Sequence, residues 1–397
     1  MSSLNESCPR RHASWKPHSH AESRNRTLRT VPTVVALAAV LAAACVCATR
    51  PALAADQASQ TPSVVVDDDG TVHVPAQAVP LSEFLSPKAK AYVAQHLKDM
   101  QHPEQLAQVD GVPIFLQTYI ARQRAQYPVV RRETTIAGVH AYVYTPKAGV
   151  SDVNRHRILI DLHGGGFSGC WPACAELESM PIAALGRIEV VSLDYREGPK
   201  YRFPAASEDV AAVYRALLKQ HRPQTIGIYG CSAGGMLTGM AVAWFDRHGL
   251  PRPGAVAMLC AGAAPVSGAG FGGDANYTAL PLGEARMPPD PSKQPKSTSL
   301  SLEYFAGTNP RDPLIAPVNS PEVLAWFPPT LIVTGTRGFE LSNAVYTHTQ
   351  LVKAGVDAQL HVWEGLFHGF FYNPDVPESR DCYDVIVKFF DQELAEQ

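Results

Sequence analysis

Three short segments of this 397-residue chain hold residues that could act on a carbonyl group. The first is Gly230-Cys231-Ser232-Ala233-Gly234. It reads G-x-S-x-G where an apolar run (225–229) meets a helical pattern (236–248). Glycines flanking a serine at a strand-to-helix turn permit a tight bend that exposes the hydroxyl. The helix behind such a turn aims backbone N–H groups and a positive dipole end at the same spot. A serine held this way can serve as a nucleophile. The pentapeptide alone also fits an incidental serine in a strand, turn and helix.

The second segment is His163-Gly164-Gly165-Gly166-Phe167, after the apolar strand at 157–162. Consecutive glycines leave their N–H groups open to a ligand, as in the HGGG-type loop that supplies oxyanion donors. Gly165, Gly166 and the residue after the serine, Ala233, are the expected donors. The third is His368, in Glu364-Gly365-Leu366-Phe367-His368-Gly369-Phe370, beyond the alternating strand 359–363. Nucleophile, acid, then histidine is a triad order that makes His368 the expected general base.

Taken together, these residues resemble the hormone-sensitive-lipase-like branch of the α/β-hydrolase superfamily, a group of serine carboxylesterases. Asp194-Tyr195-Arg196, Phe203-Pro204-Ala205-Ala206, Asp312-Pro313-Leu314 and His368-Gly369-Phe370 add to the likeness, in family order over about 135–395. The resemblance implies hydrolysis of carboxylic esters through an acyl-serine, with no cofactor. It also implies an Asp in the loop after the strand at 329–335. That loop reads Gly335-Thr336-Arg337-Gly338-Phe339-Glu340-Leu341, and the family position falls on Gly338. Glu340, Asp312 and Asp357 are the candidate substitutes. Glu340 is equally a solvated charge at the start of a helix, where the dipole favours an acid. A site without any acid would be slow, since loss of the triad acid costs about 10⁴ in turnover.

The elements that must position these groups alternate along the chain. Strands are expected at 139–145, 157–162, 189–195, 225–229, 254–260, 329–335 and 359–363, with helices at 205–221, 236–248, 342–354 and 381–395. Apolar strands separated by helices imply a mostly parallel sheet covered on both faces, with catalytic groups at the strands' carboxyl ends. The fold class is therefore α/β, and the resemblance implies an α/β-hydrolase fold with its catalytic domain at 136–397. It further implies that a 55–135 lead-in with helices at 87–100 and 112–126 and a Gly/Pro/Ser-rich insertion at about 265–325 form a cap.

Residues 1–54 read as a signal peptide. Basic residues precede an apolar run, Val31 to Ala48, and then Ala52-Leu53-Ala54. Export to the periplasm or medium is expected, with a retained anchor at 31–48 as the alternative. The net charge is −3, and seven Lys/Arg against two Glu put +5 on this segment, leaving −8 on the remainder. That balance gives no basic footprint for nucleic acid. No CxxC or His/Glu metal spacing occurs, so no metal is expected. Cys170 and Cys174, four apart, are either a disulfide or two free thiols. Cys231 reads as a packing residue. Two other functions stay open: a binding protein that has lost catalysis, motivated by Gly338, and an amidase or sugar deacetylase.

Overall fold

The computed structural model describes residues 64–102, 108–109, 112–264, 273–284 and 302–395. The expected signal peptide and possible anchor lie outside these residues, as do 265–272 and 285–301 of the insertion expected at about 265–325. The chain divides after Ala76. The described part of the first unit is a short antiparallel pair, Val65–Val66 with Val72–His73.

The second unit is built on eight strands: β1 (Val129–Ile136), β2 (Val139–Pro146), β3 (Ile158–Leu162), β4 (Glu189–Leu193), β5 (Ile226–Cys231), β6 (Ala255–Leu259), β7 (Thr330–Gly335) and β8 (Ala358–Trp363). Their order is β8-β7-β6-β5-β3-β4-β2-β1. All neighbours are parallel except β1–β2 and β2–β4. The sheet thus begins at Val129, ahead of the boundary expected at 136. Mostly exposed β1 places Arg131, Arg132 and Glu133 in a row between β-branched residues and turns into β2 through Ala137 and Gly138, both at positive φ. Ala-Gly is a weaker hairpin signal than Asn-Gly, so the strand is easily missed.

Helices are α1 (Pro87–Asp99), α2 (Ile114–Gln126), α3 (Ala173–Gly186), α4 (Ala205–Leu217), α5 (Ala233–Arg247), α6 (Asp274–Thr278), α7 (Leu280–Gly283), α8 (Pro321–Ala325), α9 (Leu341–Lys353) and α10 (Pro377–Glu393). Strand side chains alternate between two cores, as the pleat dictates. Ile158, Ile160 and Leu162 join Leu237 of α5, Val210 of α4 and Leu351 of α9 on one face. Leu159 and Tyr229 join Met180 of α3 and Phe390 of α10 on the other. Burial on both faces explains why the central strands read as unbroken apolar runs.

α3 departs from the sequence expectation, which placed no helix between β3 and β4. Pro181 inside it masks the helical signal. Of the segments expected to cap the site, α1 is tied to α10 by Ser86, whose N–H and hydroxyl both donate to Glu378. The later segment contributes a short 3-10 turn, Glu303–Phe305, where Tyr304 stacks on Phe167 with ring centroids 4.8 Å apart.

Candidate active site

Ser232 sits between β5 and α5 with φ 58° and ψ −118°. A non-glycine residue held there is strained, and such strain persists only where the surroundings over-determine it. The surroundings here are backbone. A Cβ at Gly234 would lie 1.5 Å from the carbonyl oxygen of Leu162, and one at Gly230 2.2 Å from the same atom. The end of β3 therefore presses into the turn and admits only glycine on both sides of the serine. The Ser232 N–H donates to the Leu259 carbonyl at 2.8 Å, tying the turn to β6.

The glycine loop leaves the adjacent strand β3. Gly165 has φ 124°, and a Cβ there would meet the Gly169 carbonyl at 2.0 Å. Gly166 has φ 65°. Ala233 opens α5, where the first N–H groups have no intrahelical partner. His163 is buried, its Nδ1 lies 2.6 Å from the Gly164 carbonyl, and its ring stacks on Tyr195. Burial pulls its pKa down to about 4, so it is a neutral, packed imidazole.

His368 follows β8, and its Nδ1 lies 2.9 Å from Oε2 of Glu340. Glu340 is fully buried, and its Oε1 accepts the Thr334 hydroxyl at 2.8 Å. Burial works to lower the His368 pKa, but the Glu340 carboxylate overcomes it and lifts the value to about 9. For Glu340, burial pushes up, while the charge and hydrogen bond of His368 prevail and hold it below the usual carboxylate value. The attraction favours imidazolium beside carboxylate, and with Nδ1 engaged by Glu340, Nε2 is left to exchange a proton.

Ser232, Ala233, Gly166 and His368 line one small pocket of about 30 Å³, with Leu302, Met236 and Phe339. Gly165 stands one residue back in the loop. The other candidate acids are elsewhere: Asp312 accepts the N–H of Leu314 through its own side chain, and Asp357 offers its carbonyl to Thr330. Sequence reasoning missed Phe339, stacked on His368 at 4.5 Å, and Cys260, whose sulfur accepts the Gly369 N–H. An apolar residue beside the acid was the one available signal for Phe339. Sulfur, carboxylate oxygen and ring nitrogen of Cys260, Glu340 and His368 lie within 4.8 Å of one another, so a cation bound there would compete with the Glu340–His368 pair. Cys170 and Cys174 form a disulfide where the glycine loop runs into α3. Cys231 is buried and free, as expected of a packing residue.

A strained serine, a hydrogen-bonded histidine–carboxylate pair and open N–H groups together can carry acyl transfer. A family model described as the alpha/beta hydrolase fold matches residues 159–372. An acetyl-hydrolase of Streptomyces hygroscopicus is 30% identical over 235 residues, covering 59% of this chain and 75% of that protein. The crystal structure of esterase E25 superposes with a TM-score of 0.68 at 26% identity, covering 81% of this chain and 99% of that one. An esterase from the bacterial hormone-sensitive lipase family gives 0.64 at 25% identity, covering 77% and 99%.

Proposed function

This chain belongs to the alpha/beta-hydrolase family, in its hormone-sensitive-lipase-like branch, and from that premise we propose that it hydrolyses carboxylic esters through an acyl-enzyme on Ser232. The observation that carries the reading is the Glu340–His368 hydrogen bond beside a strained serine in the same pocket. Neutral His368 takes the Ser232 hydroxyl proton through Nε2 as the oxygen attacks the ester carbonyl. The oxyanion is held by N–H groups of Gly165, Gly166 and Ala233. Collapse expels the alcohol, which receives the proton from His368. Water then gives up a proton to His368 and attacks the acyl-enzyme, releasing the acid and restoring Ser232. Glu340 stays ionised and stabilises the imidazolium throughout.

The small pocket favours short acyl chains. Glu340 supplies a carboxylate where Gly338 cannot, which removes the motive for a binding-only relative. Export is part of the reading, because a disulfide persists in oxidising compartments; N-terminal sequencing of protein recovered outside the cytoplasm would place the cleavage near Ala54. The function itself is tested with a short-chain aryl ester. Wild type turns it over and Ser232→Ala does not; equal rates would end the proposal. Running the matching aryl amide and an acetylated sugar in parallel distinguishes an esterase from an amidase or a deacetylase.

A further inference from the structure

One buried acid that the proposed reaction does not use is bonded to segments that carry the site. Glu178, on α3, is 1% exposed. Its Oε1 accepts the N–H of Gly164 at 2.9 Å and the hydroxyl of Tyr372 at 2.7 Å. Its Oε2 accepts the N–H of Cys231 at 3.0 Å. These three donors belong to three segments. Gly164 is the first glycine of the oxyanion loop, Cys231 directly precedes Ser232, and Tyr372 ends the turn that follows His368. Their separations from Glu178 in sequence are 14, 53 and 194 residues. The segments also meet at close quarters: a Cβ at Gly164 would lie 3.1 Å from the Cys231 carbonyl and 3.4 Å from the Tyr372 hydroxyl.

We propose that Glu178 is a positioning residue that locks the oxyanion loop, the Ser232 turn and the His368 segment into one catalytic geometry. This rests on the Ser232 reading above and adds the group that holds its parts in register. A carboxyl group is required because every surrounding partner is a donor, and an amide would set its own NH₂ against one of them. The backbone N–H groups of Gly164 and Cys231, at the ends of β3 and β5, are buried, so each needs an acceptor. The position is costly to an anion. Burial and the neighbouring Asp161 both push the Glu178 pKa upward. Asp161, itself buried, takes the hydroxyls of Ser179 and Ser192 on one carboxylate oxygen at 2.9 and 2.6 Å. Burial at this expense, with three hydrogen bonds accepted from three segments of the site, is what a merely space-filling core residue would not need.

The test uses the full chain as wild type, Glu178→Gln and Tyr372→Phe. Reactive Ser232 is first titrated with a fluorophosphonate, and kcat and KM for a short aryl ester are then expressed per titrated site. A shift of about 1 Å in a catalytic geometry costs about 10²-fold. Glu178→Gln is therefore expected to lose about 10²-fold in kcat per site, with KM within about threefold and the rising limb of kcat/KM with pH unmoved, because the Glu340–His368 pair is untouched. Tyr372→Phe removes one of the three donors and is expected to lose about fivefold to tenfold. Values of kcat per site within twofold of wild type would overturn the proposal; if Glu178→Gln does not fold, Tyr372→Phe alone decides by the same limit. A wild type that takes no label at Ser232 would remove the nucleophile reading and this inference together. A labelled, active wild type with unaffected variants would remove only this inference.

Discussion

The carboxylate of Glu340 occupies the space that a side chain at Gly338 would enter. A Cβ built on Gly338 lies 2.5 Å from Oε1 of Glu340 and 2.9 Å from Oε2. The two positions therefore compete for one volume beside His368. A glycine two residues before the acid is the steric condition for a glutamate to reach the histidine from the start of α9.

That competition sets the outcome of moving the acid. Gly338→Asp alone should lower kcat by about 10-fold or more, because it displaces the Glu340 carboxylate and adds a second buried charge. Gly338→Asp combined with Glu340→Ala should recover activity above either single variant. Steady-state kinetics on a short ester decides, and a gain from Gly338→Asp alone would mean that Glu340 does not act on His368.

The pH dependence follows from the same pair. The base must be neutral to accept the Ser232 proton, and Glu340 holds the His368 pKa near about 9. Thus kcat/KM should rise with pH and level off only above that value. Glu340→Gln removes the attraction and leaves burial, so the limb should move to lower pH while kcat falls by about 10⁴. The stability contribution has the opposite slope. A raised histidine pKa stabilises the fold fully below its unfolded value of about 6.5, and that part is lost as pH rises through about 9. Urea midpoints across pH 6–10 should show this decline in wild type and not in His368→Gln.

The glycine loop offers a contrast between two neighbours. At Gly165 a methyl group would run into the Gly169 carbonyl, whereas at Gly166 the nearest atom is 3.7 Å away. Gly166→Ala should therefore cost only the left-handed conformation, about 1–2 kcal/mol. Gly165→Ala must deform the loop, and loss of one oxyanion donor costs about 10²–10³ in kcat. Similar kcat values in the two variants would separate the loop from oxyanion binding.

The Cys170–Cys174 bridge closes a short loop between the oxyanion segment and α3. Loop closure of this length is worth about 2 kcal/mol in the chain-entropy model. Replacing both residues by Ser should lower the urea unfolding free energy by about that amount. Thiol labelling of denatured protein should reach Cys170 and Cys174 only after reduction, and labelling without reductant would show that the bridge does not form.

Much of the site was legible because its chemistry is written in short segments. The Ser232 turn and the glycine loop each announce themselves by their glycines, although only the loop's reason is local: the Gly169 carbonyl crowds Gly165, whereas the distant end of β3 crowds Gly230 and Gly234. His368 stood out once its place after the last strand was read together with the serine turn and the glycine loop. Glu340 was harder, since its role depends on the empty volume at Gly338, which a sequence does not display. Glu178 left no signal, because its three partners come together only when β3, β5 and the turn after β8 are assembled. In the fold, the doubly buried strands stood out as apolar runs. Mostly exposed β1 and Pro-containing α3 did not, because tertiary pairing and packing override their weak local preferences.

The most direct test of the proposed chemistry is to map the residue modified by a fluorophosphonate, using mass spectrometry of intact protein and of its peptides. One adduct per chain, located on Ser232, abolished in Ser232→Ala and slowed by at least about 10²-fold in Glu340→Gln, is the predicted result. An adduct on any other residue, or none in folded protein that still hydrolyses the ester, would contradict it.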